Sequence, residues 1–489
     1  MKRYFGMLLM VAAVVIAPVS TGQAADKERN RTSKITLHPA AETHPALKYQ
    51  LLPSFLDRRP GNAVLHYLKV PQERFILFGD QAFWETIVKW TEMPLPELRT
   101  EKKSAAFQKY GGIPLSSNIV DELERGSRCE SCDWDIPIRE GNPFFVLLPE
   151  IQAARGPARI LAARARFQIA DGKFDEAIRT LQTGYAMGRH LSQGPTMVQT
   201  LVGMTIAGMM SKQVETFIQQ PGAPNLYWAL ASLPRPIVDA RPAFEAEMAF
   251  VYLVCPELRD LDKEHYTPEQ WQRLWEQTVK KLRGLIGVLT PVGSAPAATA
   301  DSKGPQHAAG SESYPRAKRF LVARGRSVAE VDAMPIPQVL LLFTVKTYEE
   351  LRDDMFKWVL IPYAEGKGKI KEMQRLISQK SRAGAEAEIL PLGATLLPAV
   401  GSAKTAEARM DRYIAALQIL EAIRAYGATH DARLPERLAD ITEMPIPADP
   451  LHGEPFLYRR DGNTAHLESP DPTEPAFAIA VHFQIEMVR

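Results

Sequence analysis

The chain has 489 residues, 45% of them hydrophobic and 24% charged, the balance of an ordinary folded soluble protein. Its 59 lysines and arginines face 57 aspartates and glutamates. Removing residues 1–24 takes away Lys2 and Arg3 and no acid, which leaves 57 against 57, so net charge gives nucleic acid or an anionic membrane no reason to be the main partner.

Residues 1–24 read as a signal peptide. Lys2 and Arg3 are followed by twelve apolar residues, Phe5 to Ile16, then by Pro18 and the small-residue pattern Gly22-Gln23-Ala24. As a helix the apolar run would rise about 18 Å, short of the roughly 30 Å of hydrocarbon that a span must cross. The expectation is cleavage near Ala24 and a periplasmic or secreted mature protein; a retained anchor is the alternative. Residues 25–45 are polar and aperiodic and read as a loose leader. The remaining length exceeds what one core usually organises, so two or three domains are expected.

Residues 46–290 read as a helical domain. Short apolar patches broken by Pro53, Pro60-Gly61 and Pro71 predict brief helices and turns, and residues 91–145 read as irregular. From Ala158 the pattern is regular. Ile160, Ala163, Phe167 and Ala170 share one helical face, and after Asp171-Gly172 a second face carries Phe174, Ala177, Ile178, Leu181 and Tyr185, which predicts an αα-hairpin at 158–188. The apolar run TMVQTLVGMTIAGMM is about fifteen residues long, too short for a span, and reads as a buried helix in which Gly203 and Gly208 permit close approach. Further helices are expected at 238–253 and 268–285. Residues 291–312, rich in Ala, Gly, Ser and Pro, read as a flexible linker. Residues 313–403 continue the helical body, with a helix at 338–360.

Residues 404–489 read as a small α+β module. Met410, Tyr413, Ile414, Leu417, Leu420 and Ile423 form one stripe on a helix ending near Gly427. Asp461-Gly462 marks a hairpin, and Phe477, Ile479, Val481, Phe483, Ile485 and Met487 alternate as a strand does. The fold class expected is therefore mainly α, an irregular helical-hairpin body with a small C-terminal α+β module.

Chemical motifs are few. Cys129 and Cys132 in CESC lack the strand–helix context of a thioredoxin pair, the following His of a haem site and two further ligands for zinc. They are disulfide candidates if the compartment is oxidising, or a structural pair of buried thiols; Cys255 reads as a core residue. There is no GxSxG, SxxK or HExxH. GKGKIK at 366–371 lacks the spacing of a phosphate-binding loop and reads as a solvated basic turn. Glu349-Glu350 with Asp353-Asp354 read as a salt-bridged face, and Asp449 and Asp461 as turn residues in preference to calcium ligands. No catalytic, metal-binding or cofactor-binding residue is singled out, and no cofactor is expected.

Three resemblances add to this. ADGKFDEAIRTLQTGYA resembles one unit of a tetratricopeptide-type (TPR-like) repeat, without a second copy. The residues Leu434-Pro435, Leu438, Asp449-Pro450, Gly453, Pro455-Phe456 and Tyr458 resemble the soluble module of type II secretion pseudopilins, but the long apolar helix contiguous with that module and its glutamate have no counterpart here. LHPAAETHPALKYQLLP, CDWDIPIRE and QQPGAPNLYWALASLPRP resemble a group of exported proteins of planctomycete-type bacteria, a likeness that implies no activity. The leading expectation is an exported, non-catalytic scaffold or adaptor binding another protein through a helical groove. The alternatives are an enzyme whose site is assembled from distant residues, and an accessory of a type II secretion or pilus-like system.

Overall fold

The computed structural model describes residues 32–73, 75–116, 118–140, 148–289, 313–383, 389–471 and 481–488. Residues 1–24, read as a signal peptide, and 291–312, read as a linker, lie outside the described residues. The main helices are α1 (Val64–Glu73), α2 (Gln81–Glu92), α3 (Leu95–Glu101), α4 (Asn118–Ser127), α5 (Arg155–Ala170), α6 (Phe174–Ser192), α7 (Met197–Ile218), α8 (Arg241–Val254), α9 (Pro268–Leu289), α10 (Ser313–Ala323), α11 (Ile336–Val359), α12 (Tyr363–Ala383) and α13 (Leu392–Thr429). The strands are β1 (Ser33–Leu37), β2 (Arg59–Asn62), β3 (Cys129–Ser131), β4 (Leu457–Asp461), β5 (Thr464–Glu468) and β6 (His482–Met487). The protein is mainly α with a small α+β part. It divides into two compact units. The larger takes its described residues from 32–135, 148–243 and 405–488, and the smaller from 136–140 and 244–404, so the division falls inside α8 and α13.

The larger unit is built around α5. Gly172, at a φ of +72° that favours glycine, turns the chain from α5 into α6, which forms the expected hairpin. Helices α2, α3, α6 and α7 all pack on α5. Its burial therefore extends beyond the stripe that periodicity picks out, to Leu161, Ala162, Ala165 and Ile169. Alanine contributes little to an apolar pattern yet allows neighbours close on every side. Gly203 does the same between α6 and α7, where a Cβ would lie 2.5 Å from the Gly188 carbonyl oxygen. No described helix is long and apolar enough to cross a membrane.

Two stretches are more ordered than their sequence suggests. Between 91 and 140 the chain forms α3, a helix at Ala105–Tyr110 capped by the Ser104 hydroxyl on the Phe107 amide (3.0 Å), and α4. These helices are too short to display a full apolar stripe. Ser33–Leu37, inside the segment read as a loose leader, is the edge strand of a sheet ordered β1-β6-β5-β4. β1 runs parallel to β6 with Ser33 opposite Phe483, while β6–β5 and β5–β4 are antiparallel. Ile35, Leu37, Ala465, Leu467, Phe483 and Ile485 are all buried. Five residues of weak alternation gain a partner only when the other end of the chain arrives. The β4–β5 hairpin turns at Gly462, whose φ is +60°.

In the smaller unit α8 and α11 meet antiparallel. Phe244 packs edge-on against Phe356, Arg352 donates to the Met248 carbonyl, and Tyr252 donates to Glu349. The acidic cluster of α11 is ion-paired throughout: Glu349 with Lys346, Glu350 with Arg324, Asp353 with Arg352 and Asp354 with Lys357. GKGKIK is not a turn. It lies within α12, where Gly366 is needed because a Cβ there would meet the Trp358 carbonyl oxygen at 2.5 Å.

From Thr405 onward α13 belongs to the larger unit and carries a buried polar strip. Glu407 accepts from the Ala240 amide (3.0 Å), Asp411 from Ile237 (3.2 Å), Gln418 from the Arg235 guanidinium (2.6 Å) and Glu421 from Leu226 (3.1 Å). Arg424 pairs with Glu421 at 2.7 Å and donates to the Ala223 and His38 carbonyls. Lower in the unit Arg412 meets Asp449 at 3.0 Å, and the Asp449 carboxylate also accepts from the Leu451 amide and lies 2.7 Å from His452 Nδ1. Asp449 is fully buried and makes its turn, as expected of an Asp-Pro residue. Replacing Arg412 by Met leaves that carboxylate buried without its cation. The expected loss is about 3–5 kcal/mol of unfolding free energy, read by urea denaturation, with the Arg412→Met/Asp449→Leu double variant recovering part of it.

Candidate functional site

The CESC segment supplies the densest gathering of chemically versatile side chains. It enters through a short parallel pairing of β2 with β3, Arg59 opposite Cys129 and Asn62 opposite Ser131. The Asn62 side chain clamps the far end, donating to the Asp133 carbonyl (2.7 Å) and accepting from the Asp133 amide (3.0 Å). Gly61, at φ +138°, brings the β2 backbone against the Cys129 sulfur; a Cβ there would stand 3.7 Å from it.

Both cysteines are buried as free thiols, 4% and 3% exposed. Cys129 Sγ donates to the Arg125 carbonyl across 3.6 Å. Burial pushes the Cys132 thiol up to about 12, so at neutral pH it is protonated and a poor nucleophile. Cys255, in the smaller unit, is likewise buried and pushed up to about 11.

Two histidines flank this strand. His190, on α6, holds Nδ1 2.8 Å from the Tyr67 hydroxyl of α1 and makes a hydrogen bond to the Cys129 backbone. Burial pulls its imidazole down to about 4, so it is neutral in ordinary buffers. His66, on α1, sits between Glu122 and Arg59: Nδ1 is 2.8 Å from the carboxylate and Nε2 is 3.1 Å from the guanidinium. Arginine can only donate, so Nε2 accepts and Nδ1 carries the hydrogen. The His66 bond, aided by Lys69 and Arg125, holds the Glu122 carboxyl below its usual range.

No family model, curated protein or solved structure matches the chain.

Most of these polar groups are engaged by a neighbour, while Trp134 Nε1, two residues from Cys132, is buried without a hydrogen-bond partner among the described residues. His66 has a partner at each ring nitrogen, His190 has the Tyr67 hydroxyl and the Cys129 backbone, and no three His, Cys, Asp or Glu converge as a metal site among the described residues. Its chemistry is that of a brace tying α1, α4 and α6 to the CESC strand. Sequence pattern found the cysteines but not Tyr67, His66, Glu122 or His190. The one available signal was a histidine between Met187 and Leu191 near the end of an amphipathic helix.

The brace should be sensitive to acid. Unfolded His190 titrates near 6.5 and the folded residue near 4, so between these values only the unfolded state takes the proton. Stability contributed by the neutral ring is complete above pH 6.5 and falls by about 3 kcal/mol as pH drops to 4. Urea denaturation across pH 4–7 should show this slope in the wild type and its reduction in His190→Gln; parallel curves would refute it.

Proposed function

We propose that the protein is an exported, non-catalytic scaffold or adaptor that binds another protein. The carrying observation is the turn at Ser54–Asp57 in the larger unit. Phe55 and Leu56 are 79% and 92% exposed there, the most exposed large apolar side chains among the described residues. The turn that presents them is held firmly. Asp57 accepts from the Ser54 hydroxyl at 2.5 Å, its amide returns to the Ser54 carbonyl at 3.1 Å, and Arg58 Nε reaches the Pro53 carbonyl. Adjacent exposed aromatic and aliphatic side chains on a pre-set backbone lose little entropy on association, the property of an interface anchor.

The test is cross-linking capture from the extracytoplasmic fraction with the wild type and with Phe55→Ser/Leu56→Ser. The wild type should retain a specific partner and the variant should lose it, with an unchanged melting temperature because neither side chain is buried. Recovery of the bare monomer from both would sink the reading.

A second reading, an enzyme whose site is assembled from distant residues, draws on Glu247 of α8. Burial raises its carboxyl to about 7, within the range of a general acid or base, and the Tyr348 hydroxyl on α11 is buried without a hydrogen-bond partner among the described residues. A carboxyl raised in the fold favours folding below pH 4.5 and loses that contribution as pH rises through 7. Glu247→Gln should therefore flatten the stability profile between pH 4.5 and 7. An NMR titration placing the carboxyl near 4.5 would remove this reading.

A further inference from the structure

We propose that the smaller unit holds a binding site for a phosphate group, built on α12 around Lys371 and Arg375. A cavity of about 420 Å³ is lined by Lys371, Gln374, Arg375, Ser378 and Gln379. These positions follow one another by three and four residues, so the helix places them on one face. The lining offers ammonium, guanidinium, two amides and a hydroxyl, with no carboxylate among its described residues. Neither Lys371 nor Arg375 has an ion-pair partner among the described residues. This contrasts with the neighbouring Lys369, which is paired with Glu372 at 2.9 Å.

That contrast carries the inference. On α11 every acid of the cluster has found a cation, whereas on α12 two cations one turn apart are left facing a cavity. Residues 363–383 contain Lys367, Lys369, Lys371, Arg375, Lys380 and Arg382 against Glu365 and Glu372, six positive charges less two negative, or +4. A planar guanidinium beside a compact ammonium suits an oxyanion with several acceptor oxygens, and the amide and hydroxyl donors add directed bonds. The Gln374 amide is seated by the absence of a side chain at Gly401 of α13, where a Cβ would stand 2.6 Å from its Nε2. Leu376, next to Arg375 in the chain, is 37% exposed and offers an apolar contact to the acyl chains of a lipid whose headgroup the site takes. A phosphate ester fits this site whether it is a small molecule or the headgroup of an anionic lipid, and the site stands independently of the scaffold reading.

The experiment uses the purified full chain with two probes: inorganic phosphate by calorimetry, and flotation with vesicles of phosphatidylglycerol in phosphatidylcholine. Lys371→Ala/Arg375→Ala should weaken binding by about tenfold or more, and added salt should weaken the wild type. Circular dichroism should show the variant folded, since both side chains are exposed. Lys369→Ala, removing a charge outside the cavity, should bind as the wild type does. Binding of free phosphate that the double variant loses assigns the site to a soluble phosphate compound. Binding only to vesicles, lost in the same variant, assigns it to a lipid headgroup. No binding of either probe, equal binding by the double variant, or equal loss in Lys369→Ala would overturn the proposal.

Discussion

The buried ion pairs of α13 set the terms for the larger unit. Arg424, Glu421, Arg412 and Asp449 are at most 1% exposed, and a charge removed from water costs several kcal/mol unless its remaining donors and acceptors are met. Meeting them requires particular backbone groups in particular places. Arg424 needs the carbonyls of Ala223 and His38, Glu421 needs the Leu226 amide, and Asp449 needs the Leu451 amide. The helix is thus a template that is satisfied only when the strap at 223–240, the segment after β1 and the turn at 449–452 are all in position. Specificity of arrangement, more than net stability, is what such a strip supplies, since apolar residues of equal volume would have served stability as well.

The same rule of mutual engagement governs the cysteine cluster. A neutral histidine accepting or donating on both sides joins three elements without introducing a charge into the core, and it does so at the point where β2 and β3 have only two paired positions between them. A short parallel pairing is weak by itself. The Tyr67–His190 contact and the Asn62 clamp provide the rigidity that the two strands lack.

Legibility in the sequence followed the range of the interactions. The hairpin of α5 and α6, the helices α7, α9 and α11, the stripe of α13 and the β4–β5 turn are local, and periodicity or a glycine announces each of them. What failed was non-local. β1 is five residues whose partner is at the far end of the chain, and GKGKIK looked like a turn because glycine is a poor helix former. Gly366 is tolerated for a tertiary reason, its contact with the Trp358 carbonyl, that no local pattern contains. The buried charges of α13 were equally invisible. Glu407 and Asp411 resemble any solvated face until the strap whose amides they accept from is known. Of the site, the cysteines could be read, and the histidines, tyrosine and glutamate around them could not, because their spacing in the chain bears no relation to their spacing in the fold.

A balanced total charge constrains less than it first suggests. The near-balance of 59 bases and 57 acids sets the far field, which solvent ions screen within about 10 Å at 0.1 M salt. At shorter range the distribution decides. Acids such as Glu407, Asp411, Glu421 and Asp449 are buried and directed at amides and guanidiniums within the fold, so they contribute little to the surface that a solute meets. Glu421 and Asp449 take Arg424 and Arg412 inward with them, so burial there withdraws both signs, and the +4 of α12 is a local departure from the overall balance. A nearly balanced total and a positive helix are therefore compatible, because the total governs the far field and the local distribution governs what a solute meets at short range.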